Sequence, residues 1–280
     1  MHHRRVRARA WLMATTGALA LVGSLAPAGA GVVGEGTTLI GAGPTRWDVS
    51  NDTSSCNTST VFSPADDGEF RTKSDAFDGG LTINVDGTDF VDADDSFPLV
   101  GQNPVTLIAA GGVGSGIRVT RSETALPGSP TLRSLVALRN TNPNGRNLTV
   151  QWDSDLGSDS SEAVRADSSG NAAYGLRDRW VVSSDDATTP SDPVLTFALF
   201  GRRASARTTT IVDNFGGGCF GVSFDIRVPG GSTRYLLFFT QMNGSNERAI
   251  SRASSFDRPG AALLAGIPSR VRSDVLNWNL

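Results

Sequence analysis

Histidine is almost absent from this 280-residue chain: its two copies, His2 and His3, both sit in an N-terminal leader. Once the leader is removed, a Ser-His-Asp or Cys-His hydrolase, a histidine zinc site and a histidine general base are all excluded. Lysine occurs once, as Lys73, and tyrosine twice, as Tyr174 and Tyr235. Any catalysis would rest on carboxylates or on those three residues, and the expectation is a protein that is not an enzyme. No Gly-x-Ser-x-Gly elbow is present. Beyond the leader, no apolar run is long enough to span a bilayer, which takes about 20 residues. The remaining cations are arginines, and the abundance of arginine and alanine is the codon signature of a GC-rich bacterial genome.

The leader has the three parts a signal peptidase requires. Arg4, Arg5, Arg7 and Arg9 precede an uncharged run from Trp11 to Leu25, which ends in Ala28-Gly29-Ala30. Cleavage between Ala30 and Gly31 predicts a secreted protein, extracellular or periplasmic. The chain carries 25 basic and 28 acidic residues, a net −3. Loss of the four leader arginines takes the balance to −7 (21 basic against 28 acidic). Such a surface disfavours nucleic acid and anionic membranes. The two cysteines, Cys56 and Cys219, are expected to be joined in an oxidising compartment. Closing a loop of 163 residues (219 − 56) would contribute on the order of 5 kcal/mol.

After residues 1–30, residues 31–280 read as one antiparallel β-sandwich with a short C-terminal helical segment at about 246–278. Thr38–Ile40 and Trp47–Val49 are short candidate strands. Leu81, Ile83 and Val85 alternate with polar residues before Asp86-Gly87, a strong two-residue hairpin signal. Leu132–Asn140 and Leu148–Asp153 are both amphipathic, and Asn142-Pro143-Asn144-Gly145 between them predicts a second hairpin. A third is expected where Ala163–Asp167 meets Ala172–Gly175. Val194–Phe200 and Arg234–Met242 are apolar on both faces, so they belong at the centre of a sheet. Val271, Val275 and Trp278, spaced i, i+4 and i+7 after Pro268, predict a helix capping one end of the sandwich. Length and strand count resemble the large two-sheet sandwiches of mutarotase-like sugar-handling domains, a likeness of architecture rather than of motif.

Two acidic groups are candidate sites. Asp86, Asp89, Asp92, Asp94 and Asp95 place five carboxylates within ten residues. Hard oxygen ligands of this kind suit Ca²⁺, although the spacing is not that of an EF-hand and the same residues could simply solvate a hairpin. Trp152, Asp153, Asp155, Asp159 and Glu162 combine an aromatic face with acids, the chemistry of sugar recognition or of paired-carboxylate hydrolysis. Against this, the alternation of Trp152 with Leu148 and Val150 marks it as a core residue. Near them, Asp178-Arg179-Trp180 predicts a salt-bridged arginine at a strand start with Trp180 in the core. The reading these features favour is an exported, non-catalytic module that binds carbohydrate or a cell-envelope ligand. A carboxylate-dependent glycosidase or lyase and a surface-assembly protein are the alternatives.

Overall fold

The computed structural model describes residues 32–33, 37–40, 45–52, 56, 60–93, 97–100 and 106–280. Its first strands are β1 (Val32–Val33), β2 (Thr37–Ile40), β3 (Thr45–Asp52), β4 (Val61–Ser63), β5 (Gly68–Phe70) and β6 (Thr82–Val85). Then come β7 (Thr88–Asp89), β8 (Phe97–Val100), β9 (Thr106–Gly112), β10 (Ile117–Ala125), β11 (Thr131–Asn140) and β12 (Arg146–Asp155). The last six are β13 (Ala163–Asp167), β14 (Trp180–Ser184), β15 (Val194–Ala198), β16 (Thr208–Asn214), β17 (Cys219–Val228) and β18 (Thr233–Asn243). Two helices, α1 (Asn246–Ala253) and α2 (Ser269–Arg272), follow. A nine-stranded antiparallel sheet in the order β1-β8-β9-β10-β11-β18-β15-β14-β13 faces a five-stranded one, β16-β17-β12-β6-β7. A smaller sheet of β2, β3 and β4, with β5 beside β3, adjoins them. No helix among the described residues is long and apolar enough to cross a membrane.

Alternating side chains from the two sheets meet in an aromatic core. Trp152 of β12 stacks on Phe238 of β18 with ring centroids 5.0 Å apart, and meets Phe197 and Phe220 edge-on. Each such ring contributes roughly 1.5–3 kcal/mol by leaving water. β15 is buried on both faces, and β18 lies between β11 and β15, as the apolar residues on both faces of these strands require. The Asp86-Gly87 hairpin forms as its sequence dictates. Both residues take positive φ (51° and 80°), and Asn84 and Val85 pair with Asp89 and Thr88.

The hairpin expected between 132–140 and 148–153 does not exist. β11 pairs with β10 and β18, whereas β12 pairs with β17 and β6, so Asn142–Gly145 crosses from one sheet to the other. The apolar sides of β11 and β12 oppose each other across the core instead of lying side by side; alternation is identical in the two arrangements. Pro229-Gly230-Gly231 makes a second crossing, from β17 to β18, and the two arches lock together. The buried Asn140 donates to the carbonyls of Asn144 (2.8 Å) and Val228 (3.2 Å) and accepts from the Asn142 amide. A Cβ on Gly230 would stand 1.9 Å from the Pro143 carbonyl oxygen, so glycine is what lets the arches touch.

The hairpin expected at 163–175 is also replaced. β13 pairs with β14, and Asp167 gathers the amides of Ser169, Gly170 and Ala173 into a compact loop. A local carboxylate satisfies the backbone that a strand would have paired.

The C-terminal region lies on the outer face of the nine-stranded sheet rather than at the end of the sandwich. Ala249 and Ala253 of α1, with Phe256, Ile267 and Trp278, pack on Trp180, Val182, Leu237 and Phe239. Helix stops at Arg272, and Asp274–Trp278 runs along β18 where β15 ends. Tyr235 pairs in parallel with Val275, and the Leu276 amide donates to the Tyr235 carbonyl at 2.9 Å. The fully buried Asn277 substitutes for the missing strand: it accepts from the Leu237 amide and donates to the carbonyls of Leu237 and Leu199. Val275 and Trp278 are buried as the i, i+4, i+7 spacing implied, but along a sheet edge and not a helix face.

Candidate functional site

Trp152, a candidate sugar platform, is fully buried in the aromatic core and offers no face to a ligand. Asp153 lies on the opposite side of β12, next to Gly221, where a Cβ would stand 2.0 Å from its Oδ1. Burial, with a small addition from Asp89, raises its pKa to about 7. Asp155 is buried beside the disulfide; one of its oxygens lies within 4.8 Å of both bridged sulfurs. The backbone of Asp159 lies in a 3-10 turn over Asp159–Ser161. Glu162 is buried among Ser183, Ser158 and Asp185, and burial raises its pKa to about 7 as well. Burial is thus the first cause of the upward shift in both Asp153 and Glu162.

The other acidic group is also dispersed. Asp86 accepts from the Thr149 amide and faces Arg146, Asp89 accepts from Asn84, and Asp92 accepts from the Ala110 amide. Asp94 and Asp95, like the cleavage point at Ala30 and Gly31, lie outside the described residues. Among the described residues, the grouping of potential metal ligands within 4.8 Å is Cys56, Asp155 and Cys219. Its two thiols are spent in the expected Cys56–Cys219 bridge.

A larger concavity, of about 840 Å³, opens on the outer side of the nine-stranded sheet. One wall is the β10–β11 turn, where Gly128 takes φ 69° and Ser129 hydrogen-bonds Thr131 through their hydroxyls. The other is the chain leaving α1, from Arg252 to Leu263. Its floor is a relay of amides: Gln241 donates to Thr131 Oγ1 at 2.8 Å and accepts from Asn243, and Asn243 in turn accepts from Arg252. Beneath the second wall, the buried Arg133 donates to the carbonyls of Leu263 and Ala265, and Arg272 to those of Leu264 and Ile267. Burial, helped by the charge of Arg272, lowers the Arg133 pKa to about 10.

Asp257 is the one acid lining this cleft. Arg179 grips it through Nε (2.7 Å) and Nη2 (3.0 Å), and Arg202 through Nε (3.2 Å) and Nη2 (3.1 Å). Burial alone would raise its pKa, but the bonds and charges of the two guanidinium groups outweigh burial and hold it below the ordinary value. Asp257 is thus kept ionised and cannot serve as a general acid. Arg179 is salt-bridged as its sequence context implied, but to a residue 78 positions on and not to the adjacent Asp178. Two smaller hollows, of about 570 and 320 Å³, also use Arg202 and add Arg177, Arg203 and Arg207. The tight Arg202-Arg203-x-x-x-Arg207 spacing was the sequence signal for this surface, visible only with its partners in place.

No family profile and no curated protein matches the chain. Among solved structures, a protein assigned by name as a kojibiose phosphorylase from the human microbiome superposes on 81% of this chain with a TM-score of 0.50 and 9% identity. The chain spans 34% of that protein's length. A protein assigned as an aldose 1-epimerase from Klebsiella pneumoniae aligns over 77% of this chain and 82% of its own, with a TM-score of 0.45 and 8% identity. Heparinase III aligns over 76% of this chain and 38% of its own, at a TM-score of 0.45 and 9% identity. At these identities the first likeness speaks to the sandwich fold alone.

Proposed function

We propose that the chain is an exported, non-catalytic module that binds carbohydrate in the cleft above Gln241. The observation that carries this reading is the cleft itself. Side chains of Ser129, Gln241, Arg252, Ser254, Ser255 and Arg258 surround about 840 Å³, a size suited to a few sugar units. Their hydroxyls, amide and guanidinium groups match sugar hydroxyls and ring substituents as donors and acceptors. The single acid present is already committed to two arginines, which argues for binding over acid–base chemistry. The protein sharing the fold at TM-score 0.50 carries the name of a sugar phosphorylase, which makes carbohydrate the class to test first. The leader, with cleavage after Ala30, and the Cys56–Cys219 bridge fit an oxidising compartment outside the cytoplasm.

The test is a panel of purified polysaccharides and oligosaccharides titrated against the wild-type protein and against Ser254→Trp. The exposed Ser254 stands at the cleft wall, so the indole would fill the cleft without entering the core. Binding by the wild type that is lost in the variant, with unchanged circular dichroism and melting temperature, supports the reading. Equal binding by both proteins refutes it. A second reading, a glycosidase or lyase, draws on Asp153 and Glu162, whose pKa values of about 7 suit a general acid. It requires turnover of a polysaccharide that either Asp153→Asn or Glu162→Gln abolishes.

A further inference from the structure

We infer that the carbohydrate is an acidic polysaccharide, whose carboxylates or sulfates are read by a row of arginines running through the cleft and the two hollows beside it. This rests on the binding reading above and specifies its ligand class. The three concavities are lined by Arg177, Arg179, Arg202, Arg203, Arg207, Arg252 and Arg258, against Asp257 as their one acidic side chain. The whole chain is acidic, at −3, so this concentration of positive charge runs against its composition. Asp257 engages Nε and Nη2 of both Arg179 and Arg202, which fixes two guanidinium planes while leaving each Nη1 without a hydrogen bond to a described residue. Arg177, Arg203, Arg207 and Arg258 are exposed and form no ion pair with a described acid. Behind the wall, Arg133 and Arg272 donate to carbonyls, and Arg133 also to the Thr124 hydroxyl; the charge of Arg133 is partly offset by the buried Glu123.

Guanidinium forks match carboxylate and sulfate oxygens in pairs, which a lysine could not do. A neutral glycan, by contrast, is gripped through the faces of exposed aromatic rings. Trp47, Trp152, Trp180 and Trp278 are all buried, and Phe256 at the cleft is 1% exposed. The same lack of stacking surfaces, with the acidic remainder of the chain, disfavours single-stranded nucleic acid. What is left is a polyanion recognised by charge and fork geometry at several points along its length.

The experiment measures binding of the purified, disulfide-bonded protein to polygalacturonate (carboxylate), dextran sulfate (sulfate), neutral dextran and duplex DNA at 50 and 500 mM NaCl. The variant is Arg177→Gln/Arg258→Gln. The control is Arg118→Gln/Arg139→Gln, an exposed cross-strand pair at the far end of β10 and β11 that removes the same charge. The expected result is binding to one or both acidic polysaccharides, weakened more than tenfold by the higher salt and at least tenfold by the first double variant, with the control unchanged. The arm that binds identifies the anion as carboxylate or sulfate. Equal, salt-insensitive binding of neutral dextran would overturn the acidic assignment and leave the carbohydrate reading standing. Equal losses in variant and control would overturn the arginine row. Preference for DNA, or no binding in any arm, would overturn both.

Discussion

Replacing Asn277 with alanine removes the side chain that stands in for a strand, and its cost follows from the bonds it makes. Oδ1 accepts from the Leu237 amide at 2.8 Å, and Nδ2 donates to the carbonyls of Leu199 (2.8 Å) and Leu237 (2.7 Å). The Leu237 carbonyl keeps a partner, because Trp278 Nε1 also donates to it. The Leu237 amide and the Leu199 carbonyl are left without one in a buried place. At about 1–3 kcal/mol for each orphaned buried group, the expected loss is about 3 kcal/mol. For a protein of this size that corresponds to a fall in melting temperature of roughly 6–12 °C. Urea denaturation followed by tryptophan fluorescence, with thermal melts in parallel, measures both quantities. Since Asn277 also positions the segment that carries Trp278 onto Phe239, the C-terminal amides should exchange with deuterium faster in the variant. A stability change below about 0.5 kcal/mol, with unchanged exchange, would refute the strand-substitute account.

Gly230→Ala should destabilise the protein by more than about 2 kcal/mol, because backbone atoms of Pro143 occupy the methyl position; a neutral melting curve would contradict the interlocked arches. Cys56→Ser/Cys219→Ser should lose about 2–5 kcal/mol in urea titrations, and an unchanged midpoint would mean the 163-residue loop is already constrained in the unfolded chain. Glu162 has a folded pKa of about 7 against an ordinary 4.5, so the native state binds the extra proton between those values. Its contribution to stability is complete below pH 4.5 and is lost as pH rises to 7. Glu162→Gln should therefore gain on the wild type between pH 5 and 7.5, and parallel curves for the two proteins would exclude the shift.

How much of this was legible in the sequence depended on the range of the interaction. Asp86-Gly87 specified its turn because two adjacent residues supply the positive φ that the turn needs. The runs 194–200 and 234–242 specified central strands because apolar residues occupy both faces of each. Asn142–Gly145 was ambiguous, since the same alternating pattern serves a hairpin and an arch, and the choice is made by Asn140 and Gly230 from elsewhere in the chain. The C-terminal helical segment formed at Asn246–Ala253 and again after Pro268, but was carried past Arg272 because Val275 and Trp278 have helical spacing, while the pull of β18 on Asn277 is tertiary. Local density of acids likewise drew attention to 86–95 and 152–162, yet Asp86, Asp89 and Asp92 accept from separate partners. The arginine surface escaped notice because Arg179 and Arg202 meet only at Asp257, which the C-terminal segment carries to them across the chain.

The central claim is that carbohydrate lies in the cleft above Gln241. A crystal structure of the protein with an acidic oligosaccharide tests it most directly. The account predicts sugar density beside Gln241, Arg252 and Arg258, with acidic substituents facing the guanidinium groups. Density on the outer face of the five-stranded sheet, against Asp153, would contradict it.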